Sequence, residues 1–172
     1  MASAFYTLVF FCVKILSEAI IMLEEIVHYL IQNHISISTM ESCTGGLLAS
    51  LITDIPDAST ILKFSAVTYS TEYKIKMGVS KDVIDTYTVY SKETAIEMAK
   101  AISEFTGSDL GVGITGRLVS NLNEEKGVDV CLYDRRVNQY YTTHVQIFKD
   151  NRKDNKMEVI QAFVLLFNST IK

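Results

Sequence analysis

Apolar positions along the chain switch between two periods, and the switching predicts the elements. Leu23, Ile26, Val27 and Leu30 recur at helical spacing, so a helix is expected over Leu23 to Leu30. Ile35, Ile37 and Thr39 then alternate with Ser36, Ser38 and Met40, the period of a short strand. Leu47 to Ile52 restarts a helix-like run, and Asp54-Ile55-Pro56-Asp57 closes it because proline cannot continue a helix. Phe64 to Tyr69 reads as a second strand, after which Ser70 or Thr71 is placed to cap a short helix carrying Lys74. Ser80 and Ser91 are further cap candidates, and Ala95, Met98, Ala99, Ile102 and Phe105 share one helical face. Leu110 to Thr115, Val128 to Tyr133 and Tyr140 to Phe148 read as strands, and Val159 to Phe167 as a closing helix.

Strands alternating with helices predict an α/β fold, a single three-layer α/β/α sandwich whose sheet is mixed or mostly parallel and covered on both faces. At 172 residues and 48% hydrophobic, the chain is long enough to bury one core. One proline and no Gly/Ser-rich stretch leave no internal linker, so residues 22–172 are expected to form the domain. Residues 1–21 read as an N-terminal extension, expected to be helical. Its uncharged stretch from Ala4 to Val13 is too short to span a bilayer and lacks the basic flank of a signal peptide. The domain-like pattern begins at Met22, which is thus a candidate alternative start.

Charge and cysteine usage narrow the class. A net charge of −4 argues against a nucleic-acid or acidic-membrane surface. Three widely spaced cysteines, Cys12, Cys43 and Cys131, suit free thiols in a reducing, cytoplasmic setting. His28, His34 and His144 have no metal-ligand spacing, so no metal is expected.

The richest chemistry lies in Ser42-Cys43-Thr44-Gly45-Gly46, between a strand and a helix. In α/β sheets ligands gather beyond the carboxyl ends of strands, and Ser42, Tyr69 and Thr115 each sit at one. The turn has three readings: a helix cap, an anion cradle, or a nucleophile beside backbone N–H groups able to hold a developing charge. Ser42 or Thr44 fits the cap. A serine nucleophile needs a base. No histidine occupies a strand end, and Lys74 is the best available base if burial lowers its pKa; otherwise it is a solvated helix lysine. Cys43 is either a rival nucleophile or a small buried hydrophobe, and Glu41 either a surface carboxylate or a group orienting the turn.

Several segments together resemble the CinA C-terminal domain, the nicotinamide mononucleotide deamidase family. Glu41-Ser42-Cys43-Thr44-Gly45-Gly46-Leu47-Leu48-Ala49 is similar to its signature, and Thr53-Asp54-Ile55-Pro56-Asp57-Ala58-Ser59 to its T-D-x-P-G-A-S turn. Val67-Thr68-Tyr69-Ser70-Thr71-Glu72-Tyr73-Lys74 resembles V-x-Y-S-N-E-x-K, followed by Met77-Gly78-Val79. Val89-Tyr90-Ser91-Lys92-Glu93 resembles the next helix start, and Thr115-Gly116 the end of a V-T-G strand. The resemblance runs from about residue 22 to 170.

The resemblance implies an amidohydrolase that converts nicotinamide mononucleotide to nicotinate mononucleotide and ammonia without metal or cofactor. Ser42 would be the nucleophile, Lys74 its base and Tyr69 an assisting hydrogen-bonding group. Thr44, Gly45, Gly46, Thr115, Gly116 and Arg152 would bind the nucleotide, and a homo-oligomer is implied. The second half departs: Arg117-Leu118-Val119-Ser120-Asn121 replaces a glycine-rich stretch, and Glu125-Lys126-Gly127-Val128-Asp129 replaces an E-K-P-V-G turn. Asp150-Asn151-Arg152 resembles a G-D-R segment, and Lys156 stands where a second arginine is frequent. Those departures keep alternatives open: a catalytically impaired nucleotide-binding or interaction domain of the same fold, or an enzyme for another carboxamide.

Overall fold

The computed structural model describes residues 18–119, 127–149 and 151–171. Positions 1–17 of the expected extension, residues 120–126 of the altered loop and Asp150 lie outside the described residues. Residues 18–32 form helix α1, which includes the helical face expected from Leu23 to Leu30. There follow β1 (Ile37–Glu41), α2 (Leu47–Thr53), a 3₁₀ turn (Ala58–Thr60), β2 (Leu62–Val67), α3 (Thr71–Lys76), α4 (Lys81–Tyr87) and α5 (Lys92–Thr106). The chain then runs through β3 (Leu110–Gly116), β4 (Gly127–Asp134), β5 (Gln139–Gln146) and α6 (Arg152–Thr170).

The sheet order is β2-β1-β3-β4-β5. β1 is parallel to β2 and β3, whereas β4 and β5 continue antiparallel, so the sheet is mixed. Alternation along β3 and β4 divides two cores. Leu110, Val112, Ile114, Val128, Val130 and Leu132 pack with Leu23, Val27, Leu48, Phe163 and Phe167 of α1, α2 and α6. Cys131 and Tyr133 point the other way, toward Ala95 and Ala99 of α5, and Met40 joins Met98 and Ile102 on that side. The sequence explains how close α5 comes. A Cβ at Gly111 would lie 2.0 Å from the Ala99 carbonyl oxygen, and one at Gly113 2.1 Å from that of Ala95. Both positions therefore need hydrogen in place of a side chain.

Caps end the helices where the sequence places them in α3, α4 and α5: Ser70, Ser80 and Ser91 accept from Tyr73, Val83 and Thr94 N–H. The helix after the Ser42 turn differs. Gly46, not Ser42 or Thr44, is the N-cap of α2, and it offers no side-chain hydrogen bond. Phe105 also departs from its expected core face: it is exposed and rests against Phe64 of the edge strand β2, their ring centroids 5.8 Å apart. β5 stops at Gln146, leaving Phe148 exposed beyond it.

Candidate active site

β1 and β2 end side by side, and their ends create the centre of the site. Ser42 follows β1 directly and continues the sheet, its N–H donating to the Ile114 carbonyl at 2.9 Å. Thr68 follows β2 and is bound the same way, its N–H donating to the Glu41 carbonyl at 2.9 Å. α3 then turns back over these two ends and directs Lys74 between them. Lys74 Nζ lies 3.1 Å from Ser42 Oγ and 2.7 Å from the Thr68 carbonyl. The residue is only 2% exposed and is among the largest fully buried side chains of the described residues. Burial of this kind penalises the ammonium, so the amine is held below the ordinary lysine value. Lys74 thus faces a serine hydroxyl and a carbonyl, with no carboxylate paired to it among the described residues, an environment that favours its neutral amine relative to an exposed lysine.

The turn after Ser42 owes its shape to Glu41 and two glycines. Glu41 is fully buried, and its carboxylate accepts from Leu48 N–H at 3.2 Å and Ala49 N–H at 3.0 Å. It thereby supplies the cap that no residue at Gly46 can give, and favours the positive end of the helix dipole. Gly45 and Gly46 both have left-handed backbone, φ 67° and 89°, which glycine adopts without the steric cost of a Cβ. The Gly45 N–H is consumed by the Ser42 carbonyl at 3.1 Å. Among the described residues the N–H groups of Thr44 and Gly46, like those of Cys43 and Leu47 beside them, have no acceptor in another residue, so amides of this turn are left to face a ligand. The Thr44 hydroxyl is buried and likewise has no partner among them.

The remaining expected site residues fall in different places. Tyr69 is 68% exposed beside the pair; its hydroxyl meets the Arg152 guanidinium at 3.4 Å rather than Ser42 or Lys74. Arg152, at the first turn of α6, thus borders the same turn, and its positive field also reaches Cys43. Thr115 is buried, and its hydroxyl donates to the Val89 carbonyl at 2.6 Å, fixing the connection between α4 and α5. Gly116 serves strand contact: a Cβ there would sit 2.3 Å from the Gly127 carbonyl oxygen. Neither therefore presents a free side-chain group to the Ser42 site. Cys43 is buried in the core and its thiol is pushed up to about 12 by that burial, which removes it as a nucleophile at neutral pH. Arg117 lies with its guanidinium carbon 4.2 Å from the Tyr90 ring centroid.

Of the two readings open for Glu41, the structure bears out the one that orients the turn and not the surface carboxylate; the Thr68 carbonyl is the site group that sequence reasoning left unassigned. Glu41 was visible as a carboxylate four and five residues ahead of Gly45 and Gly46, a position from which it can reach the helix start. Nothing in the sequence marks a backbone carbonyl. A cleft of about 360 Å³ opens beyond the turn, lined by Thr44, Gly45, Gly46, Leu47, Ser50, Lys153, Lys156 and Met157.

Comparison with known proteins agrees with this architecture. Residues 20–171 match the family model of the CinA C-terminal domain. A competence-damage inducible protein of Clostridium novyi is 42% identical over 105 residues, which is 60% of this chain and 25% of that protein. One from Caldanaerobacter subterraneus is 48% identical over 96 residues, 55% of this chain and 23% of that protein. The match thus spans about a quarter of the length of these relatives. Among solved structures, a competence or damage-inducible protein from Enterobacter asburiae superposes with TM-score 0.81 at 19% identity, covering 90% of this chain and 98% of that one. The competence/damage inducible protein CihA from Agrobacterium tumefaciens gives TM-score 0.79 at 22% identity, covering 88% and 96%. The chain belongs to the CinA C-terminal domain family.

Proposed function

We propose that the protein is a serine amidohydrolase that cleaves the carboxamide of nicotinamide mononucleotide, releasing ammonia and nicotinate mononucleotide. The observation that carries this reading is the buried contact between Lys74 Nζ and Ser42 Oγ at 3.1 Å. With Lys74 neutral, the Ser42 hydroxyl donates its proton to Nζ as Oγ attacks the carboxamide carbon. The tetrahedral oxyanion is met by the unpartnered N–H groups of Thr44 and Gly46. Collapse breaks the carbon–nitrogen bond, and the ammonium of Lys74 returns its proton to the leaving nitrogen, so ammonia departs and an ester on Ser42 remains. Water then attacks that ester with Lys74 again as base, forming the carboxylate and restoring Ser42. The Thr68 carbonyl holds Lys74 in place through both steps.

A second reading, a nucleotide-binding domain with impaired chemistry, draws support from Arg117 stacked on Tyr90 where the family has a glycine-rich stretch. Incubating the protein with nicotinamide mononucleotide and measuring ammonia separates the two. Turnover accompanied by nicotinate mononucleotide is the expected result. Ligand-induced stabilisation with no product favours the binding domain instead.

A further inference from the structure

We propose that, on the amidase reading of this site, the Thr68 hydroxyl and Lys74 Nζ together hold the water that hydrolyses the ester on Ser42. Thr68 is then a positioning residue for the second half of the reaction. The register of the sheet brings the three groups together. Glu41 is the Cα partner of Val67, and the ladder continues one step further, with Thr68 N–H donating to the Glu41 carbonyl at 2.9 Å. Ser42 and Thr68 are therefore neighbours across the two strand ends, and the side chains of such neighbours share a face. That face is the one covered by α3 and α5. Met40, two residues before Ser42, and Ala66, two before Thr68, pack there in one cluster with Val79 and Met98. Lys74 reaches the same face from α3, between the two strand ends.

Hydrogen-bonding capacity is left over where these groups meet. Thr68 is 2% exposed, and its hydroxyl is buried with no partner among the described residues. Such a group is costly to leave unpaired, and a protein or water partner normally relieves it. Lys74 Nζ contacts Ser42 Oγ and the Thr68 carbonyl, and its third hydrogen-bonding position has no protein partner among the described residues. The Thr68 hydroxyl makes no hydrogen bond to Nζ, so the two cannot satisfy each other directly. One water between them satisfies both. Thr115, the neighbour of Ser42 on β3, offers no such position, because the Val89 carbonyl already takes its hydroxyl. Once Ser42 Oγ carries the acyl group, the water gives one proton to neutral Lys74 as its oxygen bonds to the ester carbon. The Thr68 hydroxyl accepts the water's other O–H and so leaves an oxygen lone pair directed at that carbon. Collapse breaks the bond to Ser42 Oγ, which takes its proton from the Lys74 ammonium. The acid product ionises, and the water's second proton passes to solvent.

Rapid-quench kinetics with nicotinamide mononucleotide separate the two halves of the reaction. Ammonia leaves on acylation, whereas nicotinate mononucleotide leaves only on deacylation. Thr68→Val keeps the shape of the side chain and removes the hydroxyl. It is expected to release a first equivalent of ammonia at the wild-type rate, then to turn over roughly 10- to 100-fold more slowly. Intact-protein mass spectrometry should show the acyl-enzyme accumulating in that variant. Thr68→Ser, which keeps the hydroxyl, should restore turnover and remove the accumulated species. Thr68→Ala is read the same way and keeps the test decisive where the valine variant does not fold. A purely structural role would slow the ammonia burst as well, since a displaced Lys74 fails in both halves. The proposal is overturned if loss of the hydroxyl slows the burst as much as turnover. It is also overturned if turnover and acyl-enzyme level stay as in the wild type. Release of no ammonia by the wild type sinks the amidase reading and the water site with it, whereas wild-type behaviour of the Thr68 variants sinks the water site alone.

Discussion

The carboxyl ends of the two central strands β1 and β3 sit beside each other, each with a hydroxyl at hand, and the two hydroxyls are placed differently. At the end of β1, Ser42 Oγ faces a buried amine, and the turn beyond it leaves amides, those of Thr44 and Gly46 among them, and the Thr44 hydroxyl without partners among the described residues. At the end of β3, Thr115 spends its hydroxyl on the Val89 carbonyl, and Gly116 is packed against Gly127. Both places looked like ligand positions because both follow strands on the side where ligands gather. What separates them is whether the polar groups are already satisfied. A hydroxyl at a strand end is poised for chemistry when its neighbour can change protonation and surrounding donors are left over; it is structural when a carbonyl has claimed it.

The comparison can be broken by substitution, and the largest effect is expected at Ser42, the proposed nucleophile. Ser42→Ala is expected to lower kcat on the order of 10⁴-fold or more, with melting temperature little changed. Lys74→Ala should cost about 10²- to 10⁴-fold in kcat, the range for loss of a positioned proton-transfer group. A turnover rate close to wild type in either protein would dissolve the contrast between the two strand ends. Thr115→Val, on the other side, should leave kcat within a few-fold. It is expected to lower stability by about 0.5–1.5 kcal/mol, because the half-buried Val89 carbonyl loses its donor. Denaturant titration and steady-state rates on the same preparation check both halves of that statement.

Glu41→Gln probes how the active end is held. The amide has one acceptor oxygen where the carboxylate offers two, so Leu48 or Ala49 N–H then faces a donor. A loss of about 1–3 kcal/mol is expected, with kcat reduced through displacement of the turn. Unchanged stability would show that Glu41 does not fix the helix start.

The pH dependence is the mildest test and the most specific to Lys74. Burial holds its amine below the ordinary lysine value, and catalysis needs the neutral form. kcat/KM should therefore rise with pH along a limb that levels off before the ordinary lysine range is reached. The same shift has a sign for stability. Between the folded and unfolded values of Lys74 the unfolded chain binds a proton that the folded chain does not, so stability rises with pH across that window. Lys74→Met should remove this part of the rise, and a stability curve parallel to that of the wild type speaks against a depressed Lys74.

Much of this was legible in the sequence. Period-two and period-3.6 patterning located all five strands, and serine caps at positions 70, 80 and 91 placed three helix starts. The pairing of Ser42 with Lys74 was suggested by their placement at neighbouring strand ends and by the family resemblance, neither of which supplies a distance. What stayed hidden depended on tertiary accounting. Whether the Thr115 hydroxyl is free depends on a carbonyl 26 residues away. The cap on α2 comes from Glu41 because Gly46 needs a left-handed backbone and has no side chain to offer. Phe105 fits the helical core face by spacing, yet it turns outward because the end of α5 overhangs the edge strand.

The central claim is that Ser42 and Lys74 act as one proton-transfer unit, and a double-mutant cycle on ammonia release from nicotinamide mononucleotide tests it most directly. If they form a unit, adding Lys74→Ala to Ser42→Ala costs almost nothing further, because the base has no proton to take once the hydroxyl is gone. Losses that multiply, with the double variant falling by the product of the two single effects, would contradict the account and assign the two residues to separate steps.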